Sequence, residues 1–261
     1  MIVKEIKCKS CLVKSKLTDY VVNPYTGCSH GCKYCYASFI RRFQNIKEKW
    51  GEFVYVKSNC ADLLDKELEK SKGGHIWMSS VCDCYMPIEK KYGLTRKILE
   101  KIIKYKDKFD LEILTKSVLV KRDFDLLNKL DVELGMSINT LDDKKSKLIE
   151  PFASPSSARL KVLKKAKKSG IKVFGFISPV IPGITDLEEL FRELKFVDYV
   201  WVELLNTKRY IANDFVPFLK KNGINLDLIY LNSEEYYNKI KKEVEELSRK
   251  YNLKVVDIVR H

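Results

Sequence analysis

The chain has 261 residues with 45% apolar side chains, enough for one large α/β domain or two small ones with a substantial core. No stretch approaches the ~20 consecutive apolar residues of a membrane span, and Met1-Ile2-Val3-Lys4-Glu5 opens no signal-peptide apolar region, so a soluble, cytoplasmic protein is expected. Lys and Arg total 49 against 35 acids, and the resulting formal charge of +14 favours polyanionic partners through counterion release. Lys dominates over nine Arg and glutamine occurs only at Gln44, a pattern that is also the compositional signature of a hyperthermophile. Eight cysteines at uneven spacings do not read as a secreted disulfide framework.

In chain order, a short β-like run over 20–23 leads into a cysteine-rich loop over 28–35. A helix is expected over 37–49 and a strand over 53–57. Ser58 or Asn59 can cap a helix through Glu69, which Gly73-Gly74 breaks. Strands are expected over 75–79, 111–115, 132–138, 172–177 and 200–204. Helices are expected over 94–105, 124–130, 156–169 and 187–195, with Gly170 ending the third of them. A charged helix over 238–250 and a strand-like run over 254–256 follow. Strands separated by helices of this size imply βαβ units and a mainly parallel sheet. Repeated right-handed crossovers curl such a sheet into a partial (β/α)6 barrel of TIM type. On this reading residues 1–19 are an N-terminal extension, 20–208 the partial barrel, and 209–261 a C-terminal extension closing one side.

Cys28-Ser29-His30-Gly31-Cys32-Lys33-Tyr34-Cys35 carries three cysteines spaced C-x3-C-x2-C. Three thiolates are one short of a closed zinc site, unless a residue such as His30 completes it. A ferredoxin-type cluster usually takes four cysteines in a different run. An iron–sulfur cube held by three cysteines keeps one iron open for a ligand that is not protein. The segment resembles the cluster loop of the radical S-adenosylmethionine (SAM) superfamily. That resemblance implies that Cys28, Cys32 and Cys35 hold a 4Fe-4S cluster and that SAM chelates the open iron. It further implies cleavage of SAM to a 5′-deoxyadenosyl radical, a place for Tyr34 near the adenine, and an electron donor such as ferredoxin or flavodoxin.

Parallel barrels place their active sites on the loops at the C-terminal ends of strands. That rule selects the cysteine loop, residues 79–85, Lys116-Ser117, Ser137-Ile138-Asn139, Ser178-Pro179, and residues 203–206. Tyr25-Thr26-Gly27-Cys28-Ser29-His30-Gly31-Cys32, Leu114-Thr115-Lys116-Ser117, Met136-Ser137-Ile138-Asn139, Glu150-Pro151 and Pro179-Val180-Ile181-Pro182-Gly183 together resemble the spore photolyase-like branch of the superfamily, as an uncharacterised archaeal-type member. By that resemblance Lys116 pairs with the methionyl carboxylate of SAM, and Ser137 bonds its ribose or methionyl group. A long, mobile point charge suits a single carboxylate, although a solvated strand-end lysine is the plainer alternative. Ser80, Asn139 and Ser178 on the same rim complete the expected SAM-binding set.

Cys82, Cys84 and Tyr85 follow a strand end, and spore photolyase uses a cysteine in this region as a hydrogen-atom donor. One of the two thiols is therefore expected to donate hydrogen, with Tyr85 passing the radical onward. The alternatives are inert reduced thiols, or four thiolates formed with Cys8 and Cys11 around zinc or a second cluster. Cys60 reads as structural. The run Arg159–Lys168 reads as a helix with an inward stripe at Leu160, Leu163 and Ala166 and solvated lysines outside. Arg41-Arg42-Phe43, just beyond the cysteine loop, is the better nucleic-acid candidate. The resemblance implies a radical SAM enzyme, with DNA or RNA repair or modification as the leading substrate class. A peptide or small metabolite is the second expectation, and a noncatalytic iron–sulfur or zinc nucleic-acid-binding protein is the rival of another class.

Overall fold

The computed structural model describes residues 1–261, the side chains at positions 209 and 210 excepted. The strands are β1 (Ile2–Ile6), β2 (Leu12–Lys14), β3 (Tyr20–Val22), β4 (Tyr25–Thr26), β5 (Phe53–Lys57), β6 (Gly74–Met78), β7 (Phe109–Thr115), β8 (Val132–Ser137), β9 (Lys172–Val180), β10 (Tyr199–Leu204) and β11 (Val255–Val259). A large sheet runs in the order β11-β10-β9-β8-β7-β6-β3-β2, and a small one in the order β1-β5-β4. Every pairing in the large sheet is parallel except β2 with β3. The six strands from β3 to β10 are the expected α/β core of the partial-barrel type. The sheet stays open, with β11 and β2 as its edges.

Parallel strands need crossover segments, and the helices that supply them bury one apolar stripe each against the sheet. Helix Cys60–Lys70 buries Leu64 and Leu68, and Leu94–Ile103 buries Ile98, Leu99 and Ile102. Ser156–Lys168 buries Leu160, Leu163 and Ala166, while Leu187–Leu194 buries Leu190, Phe191 and Leu194. Each fully buried aliphatic side chain contributes about 1.5–3 kcal/mol of transfer free energy, which is what holds the crossovers down. Helix Glu234–Tyr251, capped by Ser233 Oγ on the Tyr236 N–H at 3.1 Å, packs Ile240, Val244 and Leu247 inward and delivers β11 to the edge of β10. No helix of the described residues is long and apolar enough to cross a membrane.

Two local features differ from the sequence reading. The helix expected over 37–49 is a 3-10 turn, Tyr36–Phe39, and one α turn, Ile40–Phe43, before Asn45 enters the left-handed region at φ 51°. Ile40, Ile46 and Phe53 form a separate small core there, and burying all three bends the chain back on itself. Cys11 is joined to Cys60 in a disulfide, with Cα atoms 5.0 Å apart across 49 residues. It ties the N-terminal segment to helix Cys60–Lys70.

One glycine shapes the concave side of the sheet. A Cβ on Gly135 would lie 2.2 Å from Phe174 Cζ, so its absence lets the Phe174 ring lie across β8. That ring stacks on Tyr199 at 5.1 Å between centroids and 6° between planes.

Candidate active site at the strand ends

The concave face encloses a cavity of about 730 Å³, and the C-terminal strand ends converge on it. Cys28, Cys32 and Cys35 all line it, with Lys116 from the end of β7, Ser137 from β8 and Ser178 from β9. Its walls also carry aromatic side chains, and Trp50, Trp77 and Trp201 all line it.

The cysteine loop is held by backbone bonds rather than by regular structure. Gly31 adopts φ 62°, the Lys33 N–H donates to the Ile149 carbonyl at 2.9 Å, and the Phe152 N–H to the His30 carbonyl at 3.2 Å. His30 does not serve as a fourth metal ligand, as the zinc alternative required. Its Nε2 is 3.0 Å from Asp83 Oδ2 and its Nδ1 faces the Phe152 carbonyl at 3.3 Å, so both ring nitrogens are engaged.

Asp83, one of the rim residues 79–85, is the centre of that anchorage, a role its position alone did not reveal. Its buried carboxylate accepts from His30, from Thr115 Oγ1 at 2.8 and 3.0 Å, and from the N–H groups of Tyr85 and Lys116, each at 2.8 Å. Burial alone would raise its pKa; His30 and the donors around it outweigh burial and hold the carboxyl down to about 2.

Burial pushes the Cys28, Cys32 and Cys35 thiols up, and the Lys116 ammonium works against this at Cys32 and Cys35. Bare thiolates are disfavoured in so dry a site, and bound iron is the kind of charge that ionises them. Among the described residues no three His, Cys, Asp or Glu side chains are placed to hold one metal ion. Three thiols on one cavity-lining loop can each take a different iron, so the donor set fits a 4Fe-4S group.

Behind the loop lies a buried ion pair. Arg159 Nη2 bonds Glu150 Oε2, and both side chains are fully buried. Tyr34 donates its hydroxyl to the other Glu150 oxygen, while Arg159 reaches the Ser137 carbonyl at 2.8 Å and the Ser154 carbonyl at 2.7 Å. Burial would raise the Glu150 pKa, but Arg159 and Lys116 keep it below the ordinary carboxylate value. The sequence reading counted Arg159 in a basic run without assigning it a direction, and the structure turns it into the core. Tyr34 lines the cavity with Lys116 Nζ 5.8 Å from its ring centroid. Burial lowers the Lys116 pKa, yet negative charge at Cys32 and on Glu150 raises it overall.

The remaining expected residues divide. Ser80, Ser137, Ser178 and Cys82 line the cavity with Tyr34 and Lys116. Ser80 Oγ accepts from Asn23 at 3.1 Å, and Ser178 Oγ donates to the Glu203 carboxylate. Cys82 Sγ donates to Ser79 Oγ at 3.5 Å, and burial pushes its pKa up to about 11. Asn139 is not at the cavity surface. It is fully buried behind Tyr34, whose hydroxyl it reaches with Nδ2 at 3.4 Å, and its Oδ1 has no partner among the described residues. Cys84 and Tyr85 are also displaced from the expected place. Both are fully buried in the core and neither lines the cavity; the Tyr85 N–H donates to Asp83, and Thr95 Oγ1 donates to the Cys84 carbonyl at 2.7 Å. The thiolate quartet with Cys8 and Cys11 does not assemble, since Cys11 is in the disulfide and Cys8 bonds Asn59. Phe43 is exposed, and Arg41, bonded to the Lys47 carbonyl at 3.4 Å, lies outside the cavity lining.

The model of the radical SAM superfamily matches residues 22–197. An uncharacterised protein of Methanocaldococcus jannaschii is 42% identical over 222 residues, covering 84% of this chain and 82% of that protein. Spore photoproduct lyase in complex with a dinucleoside spore photoproduct superposes with a TM-score of 0.75 at 17% identity, over 98% of this chain and 82% of that one. Streptococcus suis SuiB bound to its precursor peptide SuiA superposes with a TM-score of 0.60 at 15% identity, over 92% of this chain and 48% of that one.

Proposed function

The chain belongs to the radical SAM superfamily, enzymes that use a 4Fe-4S cluster and SAM, and from that premise we propose that it modifies or repairs a nucleic-acid base. When bound, the cluster and SAM supply a 5′-deoxyadenosyl radical able to abstract hydrogen, and the chain supplies the site for that chemistry. Cys28, Cys32 and Cys35 hold the cluster. Lys116 receives the carboxylate of SAM, and Ser137 and Ser178 offer hydroxyls at the same rim. Tyr34, locked by Glu150, forms a fixed wall beside them. Cys82 keeps its proton at neutral pH and is the thiol placed to return a hydrogen atom to substrate.

The observation that carries this reading is the meeting of three loop thiols and a charged lysine at one cavity over parallel strand ends. A net charge of +14 and the likeness to a lyase bound to a dinucleoside favour a nucleic-acid substrate. A peptide substrate is the second reading, favoured by the likeness to SuiB with its precursor peptide. Anaerobically reconstituted protein should contain iron and sulfide, and release 5′-deoxyadenosine from SAM under reduction. Retention of the reduced-cluster EPR signal in the Cys28→Ala, Cys32→Ala, Cys35→Ala variant would refute the assignment of the ligands.

A further inference from the structure

Away from the loop cysteines and Lys116, the cavity has a chemistry of its own. Trp201 on β10 sits in register with Phe176 on β9, both rings line the lumen, and Trp77 faces it from β6. Glu203 lies two residues beyond Trp201, on the same face of the strand, and its carboxylate also lines the cavity. Its oxygens accept from Ser178 Oγ and from His261 Nε2, the latter at 2.9 Å. A carboxylate offers about four lone-pair sites, so acceptor capacity remains for a ligand. Among the described residues no arginine lines the cavity, and its lysines are Lys116 and the exposed Lys208 at the mouth. Aromatic faces suit the plane of a base and leave its phosphates outside.

Resting on the nucleic-acid reading above, we propose that Glu203 is the specificity-determining residue of this lumen and selects a base that presents an amino group. Adenine, cytosine and guanine each offer an NH2 donor to such an acceptor. Thymine and uracil offer only a ring N–H flanked by two carbonyls, whose lone pairs would face the carboxylate. The stacking rings accept any base, so the discrimination falls to the lumen's carboxylates. Glu203, fixed by Ser178 and His261 beside Trp201, takes that role rather than Glu112 beside Trp77.

Equilibrium dialysis of the cluster-loaded, full-length protein with SAM, under anaerobic conditions, tests this with guanosine, adenosine, cytidine, thymidine and uridine as probes. The amino-bearing nucleosides should bind at least tenfold more tightly than thymidine and uridine. Glu203→Gln, whose amide can donate to a carbonyl, should shrink that ratio to within about twofold (about 0.4 kcal/mol). Trp201→Ala should weaken all five and leave the ratio in place, separating stacking from selection. Equal binding of all five by the wild type, or an unchanged ratio in Glu203→Gln, overturns the inference alone. If no nucleoside binds while SAM is still cleaved, the inference falls together with the nucleic-acid half of the proposed function. If the base preference appears without SAM cleavage, the inference stands and the catalytic half fails.

Discussion

Asp83 remains ionised in a buried site because His30, Thr115 and two backbone N–H groups all donate to it. With the folded pKa held down to about 2 against an ordinary 3.8, its contribution is complete above about pH 4 and is lost as pH falls through 2. That contribution is about 2 kcal/mol. Urea unfolding of the cluster-free chain should therefore show a midpoint that drops between pH 4 and pH 2, and Asp83→Asn should flatten this drop. The same substitution turns an amide donor toward groups that already donate, and should cost about 2–4 kcal/mol at pH 7. Lys116 makes a different kind of prediction, because it faces the cavity. Lys116→Ala should weaken SAM binding by about 1.5–3 kcal/mol, roughly ten- to a hundredfold, as read by equilibrium dialysis. The three loop cysteines could be picked out from sequence because their spacing is local. Asp83 lay within the rim segment 79–85, but its anchoring role could not be read, because His30 is 53 residues away and Thr115 is 32.

At the scale of elements, helix Ser156–Lys168 is fastened to the site through Arg159, which joins Glu150, the end of β8 and, through Glu150, the cysteine loop. Removing one partner of a buried pair leaves an uncompensated charge, so Arg159→Met should destabilise the protein by about 3–5 kcal/mol. The double variant Glu150→Gln, Arg159→Met should recover much of that loss, and a double-mutant cycle in urea measures the coupling. Strand and most helix positions were readable because strand-like runs alternate with helical stripes between β6 and β10, whereas β5, read as part of the same sheet, pairs with β1 and β4 instead. Segment 37–49 misled because its local pattern is amphipathic, while a separate core around Ile46 and Phe53 overrides it. β1 was invisible for the opposite reason: four of its five residues are exposed, so no apolar alternation marks it. The buried role of Arg159 was not legible, because a lone arginine among lysines carries no sign of which way it turns.

Across the whole molecule, the Cys11–Cys60 disulfide closes a loop over 49 residues that contains the entire cysteine loop. Chain-entropy reasoning gives such a closure about 4 kcal/mol of stabilisation. Cys11→Ser with Cys60→Ser should lower the thermal midpoint and the urea midpoint accordingly, and reductant should have no further effect on that variant. The open sheet keeps its chemistry on one concave side, and the three tryptophans of the chain, Trp50, Trp77 and Trp201, all line the same cavity. The intrinsic emission of this protein therefore has no indole source elsewhere. A cofactor or substrate entering the cavity should alter the fluorescence of every tryptophan the protein has, so the unlabelled chain is its own optical titration probe.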